Sequence, residues 1–248
     1  MTFQNNIPWK RLVVEGSAIV VSILLAFWID AWWDRSQQHE QQNVMLESLL
    51  SDLRDKQMQV VWQRRYNEGI LESAINIILA ANNAGSNLGT ESVDKMIGGI
   101  VWANPPRQWV SAPLSHMVSG GELSVLDDTD LIVKLSRLHI LFEDAQSVYE
   151  SDEKFYAEIL IPFLITNANL AQIMSSIEVT PGHAQPYDSA VPNMEITQNQ
   201  VGLLSDVRFQ GIVSAKIDLL DSILVETLPE LEEAIAETIE ILEFAIAE

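Results

Sequence analysis

The sequence predicts an all-α protein in which one N-terminal transmembrane helix continues into an extracytoplasmic helical bundle. Three observations carry that expectation. The chain opens with an apolar run, VEGSAIVVSILLAFWIDAWW, at residues 14–33. Residues 34–81 then contain no proline and a single glycine, Gly69, among abundant Gln, Glu, Leu and Arg, the composition of a long helix. Farther on, Leu131, Leu135, Leu138, Phe142, Ala145 and Tyr149 recur at intervals of three or four, as on the apolar stripe of an amphipathic helix. Alternating strand patterns with hairpin turns are missing.

Of the 248 residues, 48% are hydrophobic, enough for one fair-sized domain with an anchor. The formal net charge is −21, and two of the 14 basic residues, Lys10 and Arg11, lie just before the apolar run. So acidic a remainder repels phosphate backbones and favours cations or basic proteins, so nucleic-acid binding is not expected. Cysteine is absent, which excludes disulfides, thiolate catalysis and cysteine metal sites.

Leu12 to Trp33 is long enough, at roughly 33 Å as a helix, to match the ~30 Å hydrocarbon core of a bilayer. The strictly uncharged stretch, Gly16 to Ile29, would also suit a buried core helix or a signal-peptide core. Flanking aromatics favour the membrane: Trp9 precedes the run and Trp28, Trp32 and Trp33 close it, as rings at the two headgroup levels would. No plausible cleavage site follows. Lys10 and Arg11 before the run, against Asp34 and Arg35 after it, place residues 1–11 in the cytoplasm as a short tail. Residues 34–248 are then expected outside the cytoplasmic (inner) membrane, in the periplasm of a Gram-negative cell.

Helical spacing puts Glu15, Ala18, Ser22, Ala26 and Asp30 on one stripe. The three small residues would let another helix approach closely and bury whatever shares that face. Two readings of the acids stand: interfacial carboxylates, Glu15 near the helix N-terminus and the basic pair and Asp30 in the outer headgroup zone, or members of a packed, ion-handling face.

Beyond the anchor, Leu50, Leu53, Val60, Leu71, Ala74 and Ile78 suggest a seam of about seven-residue period, interrupted by Gln57, Arg64 and Asn67. NNAGSNLGT at 82–90 reads as a loop, followed by a short helix capped near Thr90 and ending at Gly98-Gly99. ANPPR at 103–107 is a further break. A short helix should stop at Gly120-Gly121, and a long one, capped by Asp127 or Asp128, should kink or end at Pro162. Residues 178–196 hold three prolines and form the longest expected loop. A final helix runs from about Gln198 to Val225; Pro229 breaks or restarts it, leaving residues 229–248 as an acidic amphipathic tail beyond a bundle spanning 34–228.

The order of basic residues, Glu15, a small-residue helix, Ile29-Asp30 and Trp32-Trp33, followed by LESLLSDL, resembles a group of bacterial single-pass membrane proteins of unknown function. Those have a Glu-led N-terminal membrane helix that ends in an Asn/Asp-x-Trp pair. PLSHMVSGGELSVLDDTDL is similar to a later pattern of that group. The resemblance covers about half the chain and implies an all-helical extracytoplasmic domain on one anchor; it implies no activity.

Catalytic and metal chemistry find little footing. His39, His116, His139 and His183 lack the spacing that puts two ligands on one helix face, and no cofactor motif is present. Ser115-His116 has no nucleophile elbow around it, and Gly120-Gly121 no following GK[ST]. The carboxylate pairs Asp127-Asp128, Glu143-Asp144, Asp152-Glu153 and Glu232-Glu233 read mostly as caps or solvated faces, and DDTD at 127–130 is not a calcium loop. The expectation is therefore a non-enzymatic scaffold or accessory subunit, associating with copies of itself or with other membrane-protein subunits in the lipid bilayer. The alternative is a homo-oligomeric cation channel lined by Glu15, Ser22 and Asp30. A sensor is disfavoured because the cytoplasmic tail is too short for an output domain.

Overall fold

The computed structural model describes residues 9–83, 88–101, 108–126, 128–176 and 200–247; within its helices the side chains of residues 9–16, 18, 19, 35, 38, 39, 124 and 125 also lie outside the description. The described residues are all-helical, without strands. They fall into two compact units, residues 1–48 and 49–248. The first contains the leading part of helix α1 (Trp9–Asn82), whose remainder belongs to the second.

The second unit is built on three long rods. One is the part of α1 after residue 48. Another joins α4 (Thr129–Phe155) through a π-helical turn at Tyr156–Leu160 to α5 (Ile161–Asn167). The third joins α7 (Val207–Asp221) through a π-helical turn at Ser222–Thr227 to α8 (Leu228–Ala247). Shorter helices pack around them: α2 (Thr90–Val101), α3 (Ala112–Ser119) and α6 (Leu170–Ser175), with 3-10 turns at Glu122–Val125 and Gln200–Ser205.

Each rod buries a seam. On α1 the line through Leu49, Leu53, Val60, Gln63, Asn67, Ile70, Ala74 and Ile77 is buried and falls on alternating steps of four and three, once the half-buried Lys56 is counted. That is the a/d spacing of packed helices. The expected line catches Leu53, Val60 and Ala74, but Leu50, Leu71 and Ile78 are only half-buried and lie at its edge. The α4 stripe is as expected: all six residues from Leu131 to Tyr149 are buried, and the line continues through Asp152 and Phe155.

Pro162 and Pro229 do not end their rods. A proline lacks an N–H and its ring collides with the carbonyl four residues back, so an α-turn cannot pass it unrelieved. Here a π turn lies just ahead of each: Ile161 N–H donates to the Tyr156 carbonyl and Leu228 N–H to the Ile223 carbonyl, both five residues back. The extra residue is absorbed in the seam, which steps by five from Phe155 to Leu160 and from Ile223 to Leu228 before regular spacing resumes.

Helix ends follow local chemistry. Asp128 accepts from the N–H groups of Asp130 at 2.8 Å and Leu131 at 3.2 Å and so starts α4. Ser111 accepts from Leu114 N–H at 3.3 Å at the start of α3, which ends at Ser119; Gly121, with φ +73°, then turns the chain into the following 3-10 turn. The last rod begins at Val207 rather than Gln198, because Asp206 accepts from Arg208 N–H at 2.8 Å and caps it there. Gly98-Gly99 does not stop α2, which runs to Val101. A Cβ at Gly99 would lie 2.7 Å from the Cβ of Ser73, so this glycine is what lets α2 lie close against α1.

The acidic C-terminal helix is an integral member of the bundle. Leu228, Leu231, Ile235, Thr238 and Leu242 are buried. Arg54 pairs with Glu243 at 2.7 Å and Arg64 with Glu232, which sets α8 antiparallel to α1. Lys134 pairs with Glu237 at 2.7 Å and Arg137 with Glu230 at 3.1 Å, antiparallel to α4. Such pairs at the solvent-facing edge are worth little apiece, so the apolar seam holds the helix while the charges choose its direction.

Candidate functional site

Two places carry residues that an ordinary soluble helix bundle would not: an exposed apolar stretch in the first unit and a buried polar layer in the second. In the first unit, Val20, Val21, Ile23, Leu24, Leu25, Phe27, Trp28, Ile29, Trp32 and Trp33 are all exposed, Trp28 by 67%. At 100° per residue these positions cover α1 on all but the face that carries Ser22, Ala26 and Asp30. Leaving one such side chain in water forgoes about 1.5–3 kcal/mol.

The stripe expected to be functional is placed only in part. Ser22, Ala26 and Asp30 are exposed and follow one another by four residues on the helix, so they share a face. The side chains of Glu15, Ala18 and Trp9 lie outside the described residues. Among the described residues no helix is long and apolar enough to cross a membrane. The expected span, residues 12–33, includes side chains at 12–16, 18 and 19 that lie outside them.

The polar layer of the second unit joins the three rods. Lys216 of α7 donates from its ammonium to Asp152 Oδ1 of α4, and each side chain is 1% exposed. One turn before Asp152, the Tyr149 hydroxyl accepts from Asn67 Nδ2 of α1 at 3.1 Å. Tyr66 stacks on Trp62 with ring centroids 5.0 Å apart, and Tyr149 meets the buried Trp109 at 5.1 Å. Trp109 is fixed in turn by its backbone N–H, which donates to Gln146 Oε1 at 3.1 Å. Gln63, one turn before Asn67, is fully buried.

Burial pushes the Tyr66 and Tyr149 phenols well above their ordinary range; the Asp152 carboxylate adds to this in both, and Asn67's hydrogen bond opposes it at Tyr149. Tyr156 is raised by burial as well. These phenols hold their protons at neutral pH, which suits a structural layer and not proton transfer. A smaller polar contact lies between α2 and α6, where Gln172 Nε2 donates to Asp94 Oδ2 at 2.6 Å. Burial raises the Asp94 carboxyl, against the pull of that hydrogen bond.

The sequence reading missed this layer. By sequence Asp152-Glu153 reads as a solvated pair, yet Asp152 is buried while Glu153 is exposed. The sign was present, because Ala145, Tyr149 and Asp152 continue the stripe, and Phe209, Val213, Lys216 and Leu220 form another. Asn67, which looked like an interruption, occupies a true seam position.

Where the histidines are described, the exposed His116 lies 3.4 Å from Glu122 and the half-buried His139 3.4 Å from Glu143. His183, with the whole expected loop 178–196, and the side chain of His39 lie outside the described residues. The Ser115 hydroxyl is buried beside the exposed His116. Among the described residues no group of three His, Asp or Glu side chains could hold a metal ion. Comparison with protein-family models, with curated proteins and with solved structures finds no match.

Proposed function

We propose that this chain is a non-enzymatic, single-pass membrane-anchored scaffold or accessory subunit, with residues 12–33 crossing the bilayer and the acidic helical domain on the extracytoplasmic side. The observation that carries the reading is the run of exposed apolar and tryptophan side chains from Val20 to Trp33 on α1. Lipid satisfies such a surface without a protein partner, and the tryptophans that close it suit the headgroup zone. Ser22 and Ala26, with Ala18 and Glu15 on the same stripe by spacing, offer the face on which a second membrane helix would pack. The partner is another copy of the chain or a different membrane subunit.

The absence of native cysteine makes the topology directly measurable. Single variants Asn5→Cys and Glu150→Cys, expressed in bacterial cells, should both stay in the pellet after alkaline carbonate extraction. A membrane-impermeant thiol reagent applied to spheroplasts should label Glu150→Cys alone. Release into the carbonate supernatant would overturn the anchor, and labelling of Asn5→Cys alone would reverse the orientation. Cross-linked complexes in native membranes should weaken when Ala18→Ile or Ser22→Leu is introduced; complexes indifferent to both would remove the packing face.

A further inference from the structure

The polar layer contains hydrogen-bonding groups of both kinds that protein leaves unused. Gln63 is 0% exposed, and neither Oε1 nor Nε2 has a partner among the described residues. Asn67, also 0% exposed, spends its amide on Tyr149, while its Oδ1 has no partner among them. A buried hydrogen-bonding group left without a partner is costly, so two adjacent carboxamides in this condition call for a ligand.

The chemistry of the unused atoms selects that ligand. An anion would serve the free donors but face the Asn67 and Gln63 oxygens. A cation would serve those oxygens but meet the Gln63 amide donor. An apolar group would serve neither. Water offers two donors and two acceptors, and residues four apart on a helix have Cβ atoms about 5–6 Å apart, a span that one water can bridge. We propose that the layer is a buried hydration site, in which a long-lived water bridges the Gln63 and Asn67 carboxamides inside the bundle.

The test is water-to-amide magnetisation transfer in the full chain, held in detergent micelles and labelled with ¹⁵N. The Gln63 and Asn67 side-chain amides are assigned, and NOE and ROE cross-peaks at the water frequency are recorded for the wild type and for Tyr149→Phe. The variant is needed because an exchanging hydroxyl beside Asn67 could relay magnetisation and imitate a bound water. Cross-peaks with the relative sign of a water resident on the nanosecond timescale or longer, kept in Tyr149→Phe, are expected. Their absence in the wild type, the sign of a transient water, or their loss in Tyr149→Phe would each overturn the proposal.

Discussion

Lys216 and Asp152 form an ion pair in the interior of the helical domain, each side chain 1% exposed, on seams that are otherwise largely apolar. Removing two charges from water is costly, and their attraction with good geometry only offsets that cost. Breaking the pair is another matter. Asp152→Ala leaves a buried ammonium alone and should destabilise the domain by about 3–5 kcal/mol, read from denaturant unfolding. The double variant Lys216→Met with Asp152→Leu should recover most of the loss or exceed the wild type. A double variant as unstable as Asp152→Ala would show that the layer cannot be replaced by packing.

Gly99 tests the close approach of α2 and α1. Gly99→Ala should cost about 1–3 kcal/mol by overpacking against Ser73, although alanine is the better helix former. Ser73→Gly in the same chain removes the colliding atoms and should recover part of that loss. Stability unchanged in Gly99→Ala would mean that the two helices part easily at this contact.

Alkaline titration should expose the buried phenols. Tyr66 and Tyr149 are raised in the folded protein, so their contribution is complete below the ordinary phenol pKa of about 10 and is lost as pH climbs toward their folded values. Each tyrosine should add a slope of about 1.4 kcal/mol per pH unit above that point. Denaturant midpoints between about pH 9 and pH 11.5 should therefore fall less steeply in Tyr66→Phe with Tyr149→Phe than in the wild type. Parallel curves would count against burial of the two rings.

The π turn before Pro229 makes a register prediction. Deleting the exposed Val225 shortens the step from Ile223 to Leu228 to four, which an ordinary α-helix supplies. The deletion alone forces the proline ring onto the preceding turn and should lower the thermal midpoint sharply. Combined with Pro229→Ala it should restore a cooperative transition near that of the wild type. A combined variant that remains unfolded would mean that the wide turn has a role of its own.

Much of the architecture was legible because helices advertise themselves through period and caps. The α4 stripe, the Gly120-Gly121 stop and the Asp128 cap are all local, settled within a turn or two of the chain. Errors arose where a local breaker was overruled by packing. Pro162 and Pro229 each pass within a rod because a π turn takes up the misfit, and Gly98-Gly99 sits inside α2 because a neighbouring helix needs the space. Ser22, Ala26 and Asp30 follow one another by four residues on exposed helix.

By itself the sequence determined the all-helical class, the main helices and the apolar stretch of α1, since these depend on the residues of one segment and their spacing. The tertiary structure decided which polar residues go inside. A lone Asp152 or Lys216 reads as solvated because an unpaired charge belongs in water. Only the meeting of two rods supplies the opposite charge that lets both be buried, and no window along one segment contains that fact.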